Sequence, residues 1–202
     1  MTRVGVLALQ GDFLAHQAAL GELGVSTARV RKVTELDHLD GIVLPGGESS
    51  VMLRLLRFAQ MHEALHDVIA GGLPVLGTCA GLILLAKQVE NPQQDSLDLL
   101  DATVSRNAYG PQYHSGVFPL EGHLGMPDCT GIFIRAPRIT HIGAGVEVLA
   151  SRDGDPVFVR QGTILAAAFH PELDGHHPVL DIFLHALEQP REARNGLQAT
   201  HP

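Results

Sequence analysis

The residues best suited to covalent chemistry are one cysteine, one histidine and one glutamate in two short motifs. Cys79 lies within Gly77-Thr-Cys-Ala-Gly81, and His170 and Glu172 lie within a His-Pro-Glu motif about ninety residues later. A thiolate attacks acyl carbons, an imidazole gives and takes protons near neutral pH, and a carboxylate orients the imidazole. The three residues therefore predict a Cys-His-Glu catalytic triad.

The cysteine motif has the pattern of a strand, a sharp turn and a helix. Glycines two positions before and after Cys79 leave room for a strained turn and let the strand and the helix approach closely. A position at the start of a helix favours the thiolate. The alternative is a buried, unreactive cysteine, the usual state of a free thiol. Cys129 has no such turn, so a structural role is expected for it.

Twelve histidines are candidates for the base, and position favours His170. Residues 164–169 predict a buried strand that ends at His170. Pro171 restricts the backbone, so we expect His170 and Glu172 to face the same side of an extended stretch. An isolated His-Pro-Glu is more often a loop histidine beside a surface charge, but its place after the cysteine motif favours the triad.

A glycine-rich motif, Leu44-Pro-Gly-Gly-Glu-Ser49, could stabilise the negative charge that acyl transfer builds on a carbonyl oxygen. Backbone N–H groups aimed at that oxygen contribute about 2.7 to 4 kcal/mol each. We predict that the N–H groups of Gly47 and Ala80 form this oxyanion hole. The alternative is an ordinary turn before a helix capped by Ser49.

The first half of the chain has the pattern of a scaffold for these motifs. Apolar, β-branched runs at residues 4–9, 26–30, 42–44 and 74–76 alternate with helical stretches at about 13–23 and 50–69. This alternation predicts a three-layer α/β sandwich around a mainly parallel sheet. Active sites gather at the carboxyl ends of such strands, where Gln10-Gly-Asp12 and the two glycine-containing motifs lie.

The second half predicts antiparallel strands added to the sheet, followed by a last helix at about 177–187. The strand-like runs are residues 102–105, 131–134, 146–149, 156–159 and 164–169. Residues 1–189 are expected to form one domain. Residues 190–202 are polar and without periodicity, so a disordered tail is predicted.

Composition narrows the range of functions. The 202 residues are 45% hydrophobic, enough for the core of one domain. With 22 acidic and 14 basic residues and no basic run, nucleic acid and anionic membranes are not expected as partners. The first residues do not have the pattern of a secretory leader, and no apolar run reaches the ~18 to 20 residues that a membrane span needs. The two cysteines lie in dissimilar surroundings, which indicates a reducing compartment. We therefore expect the protein in the cytoplasm.

Six motifs in order resemble the glutaminase subunits of pyridoxal 5′-phosphate synthases, a family of class I glutamine amidotransferases. The resemblance runs from about residue 3 to 188. The cysteine and His-Pro-Glu motifs mark the superfamily, and the Gln-Gly, Arg-Asn and Phe-Ile-Arg-Ala-Pro stretches point to this family. The motifs are Leu7-Ala-Leu-Gln-Gly11, Leu44-Pro-Gly-Gly-Glu-Ser49, Gly77-Thr-Cys-Ala-Gly-Leu82, Arg106-Asn107, Phe133-Ile-Arg-Ala-Pro137 and Phe169-His-Pro-Glu-Leu173.

This resemblance implies hydrolysis of L-glutamine to glutamate and ammonia, with no cofactor and no metal. It also implies a synthase subunit as the partner that receives the ammonia. The guanidinium of Arg106 suits the α-carboxylate of the substrate. One departure is Pro111, where the family usually has an arginine. The residues implied to hold glutamine are Gly46, Gly47, Glu48, Arg106, Ile134 and Arg135.

A competing motif, His62-Glu-Ala-Leu-His66, matches the H-E-x-x-H pattern of zinc proteases. Such a site needs a third ligand, and between residues 68 and 94 the candidates are Cys79 and Glu90. A predicted strand and the sharp turn at Cys79 separate Glu90 from the histidines. We therefore favour an exposed helix over a metal site.

Two other functions remain open from the sequence. One is a stand-alone hydrolase of γ-glutamyl amides that uses the same triad. The other is a catalytically silent module that regulates a partner, against which the presence of all three triad residues argues.

Overall fold

The computed structural model describes residues 2–106, 115–122 and 128–188. Pro111 and the predicted tail at 190–202 lie outside these residues. The helices are α1 (Phe13–Glu22), α2 (Ser49–Phe58), α3 (His62–Ala70), α4 (Ala80–Leu85) and α5 (Pro178–Glu188). The strands are β1 (Arg3–Leu7), β2 (Ser26–Val30), β3 (Gly41–Leu44), β4 (Val75–Thr78), β5 (Ala86–Glu90), β6 (Leu100–Ser105), β7 (Gly116–Pro119), β8 (Glu121–Gly122), β9 (Thr130–Phe133), β10 (Arg138–Ile142), β11 (Glu147–Arg152), β12 (Asp155–Gln161) and β13 (Ile164–Ala167).

An eight-stranded sheet in the order β2-β1-β3-β4-β13-β12-β11-β8 forms the centre of the fold. The first five strands in this order pair in parallel, and β12, β11 and β8 continue the sheet in antiparallel pairing. Every residue of β3, β4 and β13 is buried, as expected for strands covered on both faces. The predicted mainly parallel sheet with antiparallel additions is confirmed.

The connections between the parallel strands explain the layers. The chain moves from β1 through α1 to β2 in one direction along the sheet, and from β3 through α2 and α3 to β4 in the other. Right-handed crossovers in opposite directions place their helices on opposite faces. The sheet therefore lies between two helical layers, in agreement with the predicted α/β sandwich.

The stretch predicted to be helical over residues 50–69 contains two helices, with a break between Phe58 and His62. Gln60 has a left-handed φ of 54°. Its N–H donates to the carbonyl of Arg57 at 3.1 Å, and the N–H of Met61 donates to that of Leu56 at 2.8 Å. These two bonds form a Schellman motif, which satisfies the last carbonyls of α2 and ends the helix.

Two of the runs predicted to extend the main sheet form separate sheets instead. The run 102–105 belongs to β6, which lies between β5 and β10 in a three-stranded sheet. The run 131–134 overlaps β9, which ends at Phe133 and pairs with β7. Burial alternates along β9 and from Leu100 to Val104 of β6, so in these stretches one face packs more closely against the core than the other. Among the described residues, no helix has the length and apolarity that a membrane span needs.

Candidate active site

Cys79 lies at a sharp turn between β4 and α4. Its φ of 47° and ψ of −99° fall in a region that non-glycine residues rarely adopt, so the turn is strained. The N–H of Cys79 donates to the carbonyl of Ala167 in β13 at 2.8 Å, which ties the strained residue to the adjacent strand. The sharp turn predicted between a strand and a helix is present.

The glycines on either side of the turn are required by close contacts. A Cβ at Gly81 would overlap the carbonyl oxygen of Leu44 at the end of β3. A Cβ at Gly77 would lie 2.6 Å from Leu85 Cδ1 and 2.8 Å from the carbonyl carbon of Gly81. The G-x-C-x-G spacing therefore lets α4 pack directly on the ends of β3 and β4.

His170 and Glu172 lie beyond the end of β13 and contact each other. His170 Nδ1 is 2.8 Å from Glu172 Oε1, and both residues are buried. The extended backbone predicted here is wrong, because Pro171–Leu173 form a 3₁₀ turn. The φ that proline imposes suits the first position of a helical turn, which explains the difference. The structure brings the two side chains together as predicted.

The charges of this pair follow from its neighbours. Burial lowers the pKa of His170, but hydrogen bonds with Cys79 and Glu172 and the charges of both raise it overall to about 10. Burial raises the pKa of Glu172, but the charge and hydrogen bond of His16, followed by those of His170, lower it overall to about 2. At neutral pH the pair is therefore an imidazolium next to a carboxylate, a state that can donate a proton.

His16 is part of this cluster, although it was not among the site residues predicted from the sequence. Its side chain on α1 is fully buried, with Nε2 3.0 Å from Thr78 Oγ1 and 3.3 Å from Glu172 Oε1. The buried face of α1 consists of His16, Ala19 and Leu20, the i, i+3, i+4 spacing of a core stripe. A histidine within such a stripe requires a buried polar partner, and this signal could have identified it.

A cavity of about 370 Å³ opens at Cys79 and His170. Small-molecule sites are concavities of this order. All six residues predicted to hold the substrate line it: Gly46, Gly47, Glu48, Arg106, Ile134 and Arg135. Four residues that were not predicted as site residues also line it: Gln10, Asp12, Ser49 and Ile83. Glu172 lies behind His170, outside the lining.

The loop from Gly46 to Glu48 is fixed by the loop that follows β1. The carbonyl of Gly46 accepts the N–H of Asp12 at 3.1 Å, and Gln10 Oε1 accepts the N–H of Glu48 at 2.9 Å. In a planar trans peptide the N–H points opposite to the C=O, so the N–H of Gly47 points away from Asp12. The oxyanion role of Gly47 and Ala80 stays a prediction.

Opposite charges lie side by side in the lining of the cavity. Arg106 Nη2 is 2.7 Å from Glu48 Oε1, which also accepts the hydroxyl of Ser50 at 3.1 Å. Arg106 lies at the end of β6, and Arg135, with a φ of 45°, follows β9. A site with both charge signs suits a zwitterionic ligand.

The two other motifs considered from the sequence lie elsewhere. His62 and His66 are on α3, with His66 Nδ1 3.0 Å from Asp67 Oδ1, and no cluster of three potential metal ligands occurs within the ranges that the structure describes. Cys129 is buried, and burial followed by the charge of Asp174 raises the pKa of its thiol. A raised pKa disfavours the reactive thiolate.

Known proteins are similar to this chain in sequence and in fold. Residues 6–189 match the SNO glutamine amidotransferase family. The pyridoxal 5′-phosphate synthase subunit PdxT of Koribacter versatilis is 52% identical over 96% of this chain and 97% of its own length, and that of Thermotoga sp. (strain RQ2) is 51% identical over 85% and 92%. A crystal structure of a glutamine amidotransferase matches with a TM-score of 0.84 at 44% identity, over 92% of this chain and 99% of that one. The chain therefore belongs to the SNO glutamine amidotransferase family.

Proposed function

We propose that this protein is the glutaminase subunit of a pyridoxal 5′-phosphate synthase and hydrolyses L-glutamine to L-glutamate and ammonia. The observation that carries the proposal is the strained Cys79 facing the same cavity as His170, with His170 Nδ1 2.8 Å from Glu172. The family of the chain and the names of its relatives support the same activity.

In the proposed mechanism the Cys79 thiolate attacks the side-chain amide carbon of glutamine. The carbonyl oxygen becomes an oxyanion held by the N–H groups of Gly47 and Ala80. The C–N bond then breaks as the His170 imidazolium protonates the leaving nitrogen, which gives ammonia and a γ-glutamyl thioester. His170 next takes a proton from water, whose oxygen attacks the thioester and releases glutamate and the thiolate.

The charged lining supplies binding for the α-carbon groups of glutamine. The guanidinium groups of Arg106 and Arg135 fit a free α-carboxylate, and Glu48 fits the α-ammonium group. Glutamine would then exchange the Arg106–Glu48 ion pair for two ion pairs of its own. Gly46, Gly47 and Ile134 would form the remaining walls against the substrate side chain.

We infer that a synthase subunit receives the ammonia. The relatives from Koribacter versatilis and Thermotoga are named as subunits of pyridoxal 5′-phosphate synthase, and the sequence resemblance implies a partner that combines ammonia with a pentose phosphate and a triose phosphate. Docking would select the productive orientation of the Gly46-Gly47 peptide, which can reorient at low steric cost. Because the nucleophile must stay a free thiol, we place the complex in the reducing cytoplasm.

The test is glutamate release by the chain alone and with the cognate synthase subunit. The chain alone should be slow, the partner should accelerate it several-fold, and the mixture should form pyridoxal 5′-phosphate from glutamine. Mixtures with Cys79→Ala should form the cofactor from ammonium salts but not from glutamine, because no thioester can form. Equal rates with and without the partner, together with no glutamine-dependent cofactor, would instead establish a stand-alone γ-glutamyl amide hydrolase.

A further inference from the structure

His16 occupies a junction between the two halves of the triad. It is 0% exposed and belongs to α1, whereas the triad residues follow β4 and β13. Its Nε2 is 3.0 Å from the hydroxyl oxygen of Thr78, the residue immediately before Cys79, and 3.3 Å from Glu172 Oε1. One buried nitrogen therefore contacts both the strand that presents the nucleophile and the acid that orients the base.

The chemistry of these neighbours fixes the role of Nε2. The ionised carboxylate of Glu172 can only accept, and the Thr78 hydroxyl at 3.0 Å can donate or accept, so an Nε2 that carries a proton suits both neighbours. The same oxygen accepts from His170 Nδ1 at 2.8 Å. His16 Nδ1 has no hydrogen-bond partner among the described residues, so the contacts of His16 with this cluster depend on Nε2.

The second carboxylate oxygen of Glu172, Oε2, makes the contact between His16 Nε2 and Oε1 more important. Glu172 Oε2 is buried and has no hydrogen-bond partner within the described part of the chain. Among the described residues, the contacts that orient the carboxylate are therefore those of Oε1 with two imidazole nitrogens, His170 Nδ1 and His16 Nε2. Removal of one of them would leave the carboxylate free to rotate, and His170 would turn with it.

We propose that His16 is a positioning residue of the glutaminase, an inference that rests on the proposed function. It fixes the carboxylate of Glu172 relative to Thr78, and thereby fixes His170 relative to the Cys79 sulfur. His16 does not line the cavity, so it acts through Glu172 and not on the substrate. A role confined to core packing would affect stability and leave the rate constant of the folded enzyme unchanged.

The test compares two amide substitutions that differ in reach. In His16→Gln the side-chain nitrogen lies near the position of Nε2, whereas in His16→Asn it lies near that of Nδ1 and falls short of Glu172. Both remove the imidazole volume and keep a polar side chain, so each is the matched control of the other. The full-length chain is assayed for glutamate release with the synthase subunit present, below the melting temperature of each variant.

We expect His16→Asn to lower kcat roughly 10-fold or more with KM unchanged, since small displacements of catalytic groups have effects of this size. His16→Gln should retain kcat within about 3-fold of the wild type, because it restores the donor. Equal kcat values for the two variants, or melting temperatures that change while kcat does not, would overturn the inference. A wild-type chain that does not hydrolyse glutamine would overturn the proposed function, and the inference would fall with it.

Discussion

Two residues of the cavity, Cys79 and Arg135, have left-handed φ angles of 47° and 45°. A non-glycine residue in a sparsely populated region costs about 1 to 3 kcal/mol, and the surrounding structure must hold it there. For Cys79 the hydrogen bond to the carbonyl of Ala167 and the close packing at Gly77 and Gly81 do so. Strain of this kind concentrates at functional sites, in agreement with a nucleophile fixed before substrate arrives.

Glu172→Gln should destabilise the protein in a pH-dependent way. The pKa of Glu172 is lowered from 4.5 to about 2 on folding, so its ionised form stabilises the fold above pH 4.5, and this stabilisation is lost as the pH falls toward 2. Near pH 7 the variant should lose about 1.5 to 3 kcal/mol of unfolding free energy, the contribution of a charged hydrogen bond. The difference from wild type should shrink by about pH 3.5, measured by urea unfolding at both pH values.

The control for this experiment is Glu63→Gln, which removes an exposed carboxylate on α3. Its unfolding free energy should follow that of the wild type at both pH values. A difference for Glu172→Gln that stays constant with pH would show that the native state does not hold this carboxylate ionised by its imidazole neighbours.

Gly46→Ala should reduce activity more than stability. A Cβ at Gly46 would overlap His170 Cε1 and lie 3.0 Å from Nδ1, so the buried imidazole or the loop that carries Gly46 must shift. Misplacement of a catalytic group by ~1 Å costs roughly 10²-fold in rate, so glutamate release should fall by that order.

Gly21→Ala is the matched control, because a Cβ at Gly21 on α1 has no heavy atom within 4 Å. It should raise the unfolding free energy by about 0.5 to 1 kcal/mol through helix propensity and leave activity unchanged. Full activity of Gly46→Ala would contradict the close packing of His170 on this loop.

At the level of elements, strand positions could be predicted because their signal is local. The runs at residues 26–30 and 42–44 correspond to β2 and β3, and the loops after β1, β3 and β4 converge at the cavity. The break after α2 could not be predicted, since Gln60 carries no sequence signal for a left-handed φ. The assignment of β6 and β9 to separate sheets depends on long-range packing, which local patterns do not contain.

Gln60→Gly should stabilise the protein by about 1 kcal/mol, because glycine adopts the left-handed φ of a helix C′ position without steric cost. The control is Arg54→Gly, an exposed position inside α2, where glycine should destabilise by about 1 kcal/mol. Thermal or urea unfolding of the two variants measures both effects. Both substitutions introduce glycine, but in two different backbone conformations, so the changes in unfolding free energy should have opposite signs. Changes of the same sign would contradict the observed end of α2.

For the molecule as a whole, the sequence predicted which residues meet at the cavity, but it predicted fewer of the contacts that hold them there. Cys79, His170 and the six predicted substrate residues border one cavity, because motifs at the carboxyl ends of adjacent parallel strands converge. The contact between Arg106 and Glu48 joins residues 58 positions apart, and that of His16 with Glu172 joins α1 to the chain after β13. Such pairs follow from tertiary packing, so the motifs did not indicate them.

Chelation should leave activity unchanged. Neither half-reaction of the proposed mechanism requires a Lewis acid, since proton transfers by His170 and backbone N–H groups supply the electrophilic help. Glutamate release after treatment with a chelator and metal analysis of the purified protein measure this. One zinc per chain that is lost together with activity in His62→Ala would support a metal site on α3 instead.

The place of β13 in the sheet has a consequence for biosynthesis. It pairs with β4 on one side and β12 on the other, with Leu165 beside Leu76, although the ribosome makes it long after β4. A nascent chain that ends before β13 therefore has Cys79 but no His170, and the edge of β4 is open to other strands. That edge is exposed to other chains during this interval, and the thiol acquires its proton donor only after residue 170 has been made.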